Sequence, residues 1–210
     1  LREPFEEEMT VKRALISAVA LAVALPALAF AEPVSYKVDP DHSGVNFTIR
    51  HFVSNIPGRF KEFAGTIVFD KGNPAASKVE FTVQAASVDT GNGDRDNHLK
   101  TADFFEVEKF PAWTFTSTQV KAQGKDTLEV TGDLTIHGVT KRVTIPVNVL
   151  GTVKTPKSEK AGFEADFTIN RKDFNIIWNR VLDAGSTVLG DDVKISISVE
   201  ADHPLAPPAQ

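Results

Sequence analysis

Residues 44–51 read Gly44-Val45-Asn46-Phe47-Thr48-Ile49-Arg50-His51. Val45, Phe47 and Ile49 alternate with Asn46, Thr48 and Arg50, and successive side chains of an extended backbone point to opposite faces. A period of two over this length marks a strand with one apolar face. The pattern returns in Val79, Phe81, Val83 and Ala85, which alternate with Glu80, Thr82 and Gln84. It recurs over Gly65–Asp70, Trp113–Val120, Leu128–Ile136, Val143–Val149, Phe163–Ile169 and Val193–Val199. About eight strands result, and the fold class is all-β.

Turn signals separate the runs: Lys71-Gly72-Asn73-Pro74, Gln123-Gly124-Lys125-Asp126 and His137-Gly138. Short links of this chemistry join antiparallel neighbours, so a meander follows. Between Gly91 and Pro111 the alternation stops. There Asp94 or Asp96 is placed to cap a short helix, and Leu99, Ala102, Phe104, Phe105 and Val107 supply an apolar side. This helical excursion, near residues 94–108, is expected to cover one end of the sheet. Two architectures suit such a chain, a sandwich of two packed sheets and a closed barrel of about eight strands. Periodicity does not choose between them.

Ahead of the strands, residues 9–31 read as a secretory signal peptide. Lys12 and Arg13 open it, Ala14 to Leu25 is apolar but for Ser17, and Ala29-Phe30-Ala31 is a small-x-small cleavage site. A transmembrane anchor is the rival reading, since a spanning helix needs roughly 20 residues. Pro26 and the cleavage-like ending favour the signal peptide, and with it export without a stable membrane anchor. Residues 1–8, which precede Met9 and hold four glutamates, read as an upstream-start artefact. Residues 32–200 suit one domain, and 201–210, with three prolines, read as a disordered tail.

The formal charge is −5 and no cysteine is present. A mildly acidic chain without a basic tract is unsuited to nucleic acid, whose binding rests on Lys and Arg at phosphates. Without thiols there is neither a disulfide nor thiolate chemistry. An exported domain of this kind points to a bacterial periplasm.

The local motifs carry a resemblance. Tyr36-Lys37-Val38-Asp39, His42-Ser43-Gly44-Val45-Asn46-Phe47, Arg50-His51 and Gly58-Arg59-Phe60 are followed by Phe63-Ala64-Gly65, Ser87-Val88-Asp89-Thr90 and Arg95-Asp96-Asn97-His98-Leu99. Asp103-Phe104-Phe105, Phe110-Pro111, Gly132-Asp133-Leu134-Thr135-Ile136-His137-Gly138-Val139-Thr140 and Asn170-Arg171-Lys172-Asp173-Phe174 complete the series. In this order, over nearly all of Glu32 to Glu200, they resemble the YceI-like family. The resemblance implies an extended, antiparallel, eight-stranded lipocalin-like barrel whose interior binds polyisoprenoid chains or isoprenoid quinones, without enzymatic activity. One departure lies after Asp173-Phe174, where the family usually carries Gly and this chain has Asn175-Ile176-Ile177-Trp178. Asn tolerates a left-handed backbone.

If the barrel is a binder, its cavity lining is expected from Val45, Phe47, Ile49, Phe81, Val83, Phe115, Leu134, Ile145, Phe163, Phe167, Ile169 and Ile195. The same residue types would equally close a solid core. His51 and Arg171 continue the inward parity of their strands and are the candidates for a ligand head group; for Arg171 the competing role is pairing with Asp89, Asp173 or a backbone carbonyl. Asp94-Arg95-Asp96-Asn97-His98 lacks the glycine and closing glutamate of a calcium loop, and the histidines form no zinc pattern, so neither a metal nor a cofactor is expected. Asp39, Asp41 and His42 read as turn and capping residues. Ser43 beside His42 is not a catalytic pair, since strand neighbours point apart, and no G-x-S-x-G elbow occurs. The expected partner is an isoprenoid lipid, with a homodimer as one option. A small-molecule enzyme on the same barrel and an envelope interaction module with a packed interior are the alternatives.

Overall fold

A computed structural model describes residues 32–180 and 188–206. The signal-peptide reading at 9–31, the residues before it and the last four residues of the chain lie outside that range. The described chain forms β1 (Val34–Val38), β2 (Gly44–His51), β3 (Ser54–Phe60), β4 (Phe63–Phe69), β5 (Lys78–Gln84) and β6 (Val88–Asp89). A short helix, α1 (Gly93–Leu99), precedes β7 (Ala112–Ala122), β8 (Thr127–Ile136), β9 (Val139–Lys154), β10 (Ser158–Asn170) and β11 (Leu189–Pro204).

These eleven segments fill eight strand positions of one closed antiparallel barrel. β1 and β2 lie end to end along one side of β11, with Val38 opposite Ala201 and Gly44 opposite Ser198. β3 pairs with β2 and β4 with β1, so they too form one bent strand. β6 and β5 follow in the same way along β3 and β4. From β5 the ladder runs through β7, β8, β9 and β10 to β11, which closes the ring. Each of the eight alternating runs in the sequence lies in a different one of these positions; β1, β3 and β6 are continuations beyond a bend.

Each bend is held by specific bonds. Between β1 and β2 the chain makes a 3₁₀ turn over Pro40–His42, capped by Asp39, whose carboxylate accepts from the Asp41 N–H. Opposite this turn Glu200 pairs with Gly162 of β10 on one side but with no residue of β1 or β2 on the other. Its N–H donates to the Ser43 hydroxyl at 3.0 Å, and its carbonyl accepts from Ser43 Oγ and from the Asp39 N–H. Backbone polar groups of a buried strand need such partners.

Two apolar clusters fill the ends of the barrel. At the base, Tyr36, Val38, Phe69, Val120, Val130, Phe163 and Ala201 are buried together. The Tyr36 hydroxyl donates to Glu159 Oε1 at 2.9 Å; burial, then Glu159, pushes its pKa up to about 12. At the other end Phe60, Val88, Phe104, Phe105, Ile136 and Phe174 pack together. Phe104 and Phe105 belong to the excursion after α1, which covers this end as expected, although Ala102 is exposed. The helix cap is Asn92, whose side chain accepts from the Arg95 N–H. Asp94 lies inside the helix, and Asp96 is engaged by the N–H and hydroxyl of Thr90.

β11 continues to Pro204, with Ala201 wholly buried and Asp202 paired to Lys37. The first four residues of the expected tail therefore belong to the barrel. Among the described residues no helix is long and apolar enough to cross a membrane.

Candidate functional site

The barrel interior is not filled. Two chambers lie end to end along its axis. The deeper, of about 160 Å³, is walled chiefly by Val, Ile, Leu and Phe from β4, β5 and β7–β11. The larger, of about 500 Å³, opens toward the β2–β3 hairpin, and its volume falls within the ~300–1,000 Å³ usual for small-molecule sites. Phe60, Trp113, Ile136, Ile169 and Ile195 border both, so the apolar wall is continuous from one to the other.

The alternation of the strands places the wall residues. Val45, Phe81, Val83, Phe115, Leu134, Ile145, Phe163 and Phe167 face the deep chamber. Phe47 and Ile49 face the larger one, and Ile169 and Ile195 border both. Space for them is made by glycines that stand opposite aromatic rings. A Cβ on Gly58 would lie 2.2 Å from Phe47 Cζ, and one on Gly65 would lie 2.6 Å from Phe81 Cδ2. Both are register partners across a ladder, and the ring covers the backbone that glycine leaves bare.

Polar side chains collect at the wide end: His51, Thr90, Asp94, Arg95, His98 and Arg171. Arg171 is 3% exposed and stands in a 3₁₀ turn directly after β10. Its Nε donates to the Gly190 carbonyl at 2.9 Å, and its Nη1 to the carbonyls of Ile176 and Trp178 at 2.7 and 2.8 Å. Nη2 meets Asp191 Oδ1 at 3.3 Å. Its carboxylate partner is thus Asp191, while Asp89 pairs with Arg59 and Lys61. Asp191 is within reach because β11 bulges against β2 between Leu189 and Val193. Burial draws the guanidinium below its ordinary pKa and Asp191 opposes this.

The turn that Arg171 holds ends in Asn175, whose φ of 60° and ψ of 16° are left-handed. This is the position where the sequence departs from glycine, and Asn accepts the conformation at little cost. From there Ile176 and Trp178 reach the chamber wall. Trp178 meets His98 and Phe104 at ring centroid distances of 5.4 and 5.1 Å, which ties the turn to α1 across the opening. His98 Nε2 lies 2.7 Å from Asp103 Oδ2. Arg95 donates to the hydroxyl and carbonyl of Thr90 at 2.7 and 2.8 Å. His51 ends β2 beside this group, its ring edge-on to Phe52.

Sequence reasoning placed Arg171 and His51 here but passed over Thr90, Arg95, His98 and Trp178. Arg95 and His98 sit on a helix whose position over the barrel end no local pattern encodes. A second titratable group lies away from the chambers, where Asp39, His42 and Glu200 bring ligand atoms within 4.8 Å of one another. Lys160 Nζ already stands 2.7 Å from Glu200 and 2.9 Å from Asp202, and Asp39 pairs with His42. Asp39 and Glu200 thus each already have a partner in the chain itself.

The YceI-like domain family matches residues 36–201, nearly the whole barrel from within β1 to within β11. The chain belongs to the YceI-like family. The protein YceI of Escherichia coli O157:H7 is 50% identical over 145 residues, 67% of this chain and 75% of that protein. Among solved structures, BcnA of Burkholderia cenocepacia superposes with a TM-score of 0.70 at 27% identity, covering 78% of this chain and 99% of BcnA. A polyisoprenoid binding domain from Saccharophagus degradans, implicated in plant cell wall breakdown, has a TM-score of 0.61 at 20% identity and covers 81% of this chain and 99% of that domain. That last likeness is one of fold.

Proposed function

We propose that this YceI-like protein is an exported carrier that encloses a polyisoprenoid or isoprenoid-quinone tail in its two joined chambers, without covalent chemistry. The observation that carries the reading is the continuous apolar wall through Phe60, Trp113, Ile136, Ile169 and Ile195, with arginine and histidine side chains gathered at the wide end. A long hydrocarbon with one polar end has that shape, and its burial yields ~25 cal/mol per Å² of apolar surface. The polyisoprenoid binding domain of the same fold lends the reading support.

The polar groups at the wide end are suited to holding a head group. Arg95, His98 and Arg171 are each fixed by bonds to Thr90, Asp103 and backbone carbonyls, which favours positioning over proton transfer or nucleophilic attack. Arg171 retains one N–H beyond its four bonds, and His51 faces the same space. The signal-peptide-like residues 9–31 support delivery to the periplasm. Organic extraction of the purified protein, followed by mass spectrometry, tests the proposal. A stoichiometric isoprenoid is expected; an interior that yields none after expression in an isoprenoid-rich host would overturn it.

A further inference from the structure

Among the described residues, five large hydrophobic side chains are substantially exposed, and three of them surround one opening: Phe52 (48%), Val53 (87%) and Ile177 (68%). Phe52 and Val53 form the tip of the β2–β3 hairpin, and Ile177 lies on the turn held by Arg171. Backbone bonds join the two. The Phe52 N–H donates to the Val188 carbonyl, and the Val188 N–H to the Arg180 carbonyl. Two of the three adjoin residues that line the large chamber, Phe52 following His51 and Ile177 standing between Ile176 and Trp178. On this side the apolar wall runs out of the barrel onto the surface.

The patch is flanked by cations. Arg50 is exposed and donates through Nε to the Phe52 carbonyl, and Arg180 is exposed at the other side of Val188. Two exposed arginines thus stand beside the patch in a chain of net charge −5. Three protruding side chains are far too little for a stable protein interface, which takes ~800 Å² per partner. They suit a bilayer surface, where a few apolar groups enter the headgroup boundary and neighbouring Arg side chains meet anionic lipid.

We propose that Phe52, Val53 and Ile177, with Arg50 and Arg180, dock the open end of the barrel on an anionic phospholipid bilayer. The inference rests on the carrier reading above. Docked in this way, the chamber opens directly onto the lipid phase, and an isoprenoid tail passes between membrane and barrel without crossing water.

Flotation of the purified protein tests it, with vesicles of phosphatidylglycerol and phosphatidylethanolamine in equal parts and with phosphatidylcholine vesicles. The parent is expected to float with the anionic vesicles and to be released by salt. Val53→Asp and Ile177→Ser should each weaken association by about tenfold or more, and Arg180→Gln should weaken it on anionic vesicles only. All three positions are exposed, so melting temperature and extractable lipid are expected to match the parent. A parent that ignores both vesicles, or variants that float as it does, overturns the docking surface even when an isoprenoid is extracted. An empty barrel that still floats through Val53 and Ile177 overturns the carrier reading and leaves the docking surface standing. Stoichiometric capture of a protein through Val53, with vesicles ignored, assigns the rim to a protein partner and overturns the bilayer.

Discussion

Arg171 holds Trp178 in place through the backbone: Nη1 donates to the Trp178 carbonyl at 2.8 Å, while the indole packs against His98 of α1 and Phe104 after it. The guanidinium thereby shapes the wide chamber by fixing the turn that forms its lip. A planar fork reaches three carbonyls and one carboxylate at once, which an ammonium cannot.

Arg171→Met leaves the carbonyls of Gly190, Ile176 and Trp178 without their donor and is expected to cost about 3–5 kcal/mol in urea unfolding, the scale of breaking a buried charged network. Arg171→Lys should cost less but still speed amide exchange over Asn175–Trp178. A double-mutant cycle with Asp191 should show coupling, and one with Asp173 none. Parent-like exchange in Arg171→Lys would remove Arg171 as the anchor of the lip.

Two glycines that both face phenylalanines predict different outcomes. At Gly58 an added Cβ meets only the Phe47 ring, the outer end of a side chain that can turn away. At Gly132 it meets the Thr116 carbonyl at 2.5 Å as well as the Phe115 ring, and that backbone lies in the β7–β8 ladder. Gly132→Ala should therefore cost about 2–3 kcal/mol and Gly58→Ala about 1 kcal/mol or less. Gly58→Ala should instead lower lipid content, since Phe47 turns into the large chamber. Equal melting temperatures for the two variants would contradict this account.

The strands were legible where the alternation ran unbroken, in β2, β4, β5 and β7–β11. β3 was not, because Pro57 and Gly58 interrupt it; the structure admits Pro57 since only Arg59 and Phe60 of that strand pair on their outer side, with β6, leaving the rest an edge. Strand parity turns the twelve wall residues inward but does not tell an open chamber from a solid core, and Arg171 stands just past the strand whose parity it continues. Its partners do not follow from parity, since Asp191 reaches it by way of a bulge and the carbonyls by way of a left-handed Asn175. The lip built from His98, Phe104 and Trp178 joins segments far apart in the chain, and no periodicity records such contacts.

Asp89 carries the pH dependence that the fold predicts. Lys61, then the Gly91 N–H, then Arg59 hold its carboxyl well below the usual carboxylate range. With the folded pKa lowered, the stabilisation is complete above the unfolded value of about 3.9 and is lost as pH falls through the folded one. Asp89→Asn should melt below the parent at neutral pH. The gap should close progressively as the pH drops below about 4. Thermal melts from neutral to acid measure this, and a gap of constant size would show that the ion pairs with Arg59 and Lys61 contribute nothing.

Ile195 stands between Phe47 and Phe167 across the β2, β11 and β10 ladders and borders both chambers. A larger side chain there enters empty space instead of packed neighbours, so Ile195→Phe is expected to fold with a stability change within about 1.5 kcal/mol. Its ring would close the passage between the chambers. A tail long enough to need both would then be lost, while a shorter one confined to the wide chamber would remain, so extracts of the variant should shift to shorter isoprenoids or lower occupancy. Phe167→Leu, on the deep wall alone, widens that chamber and should leave the chain-length profile unchanged or longer. If Ile195→Phe retains the same lipids at the same stoichiometry, the ligand does not pass the waist, and the deep chamber is only a packing defect of the barrel.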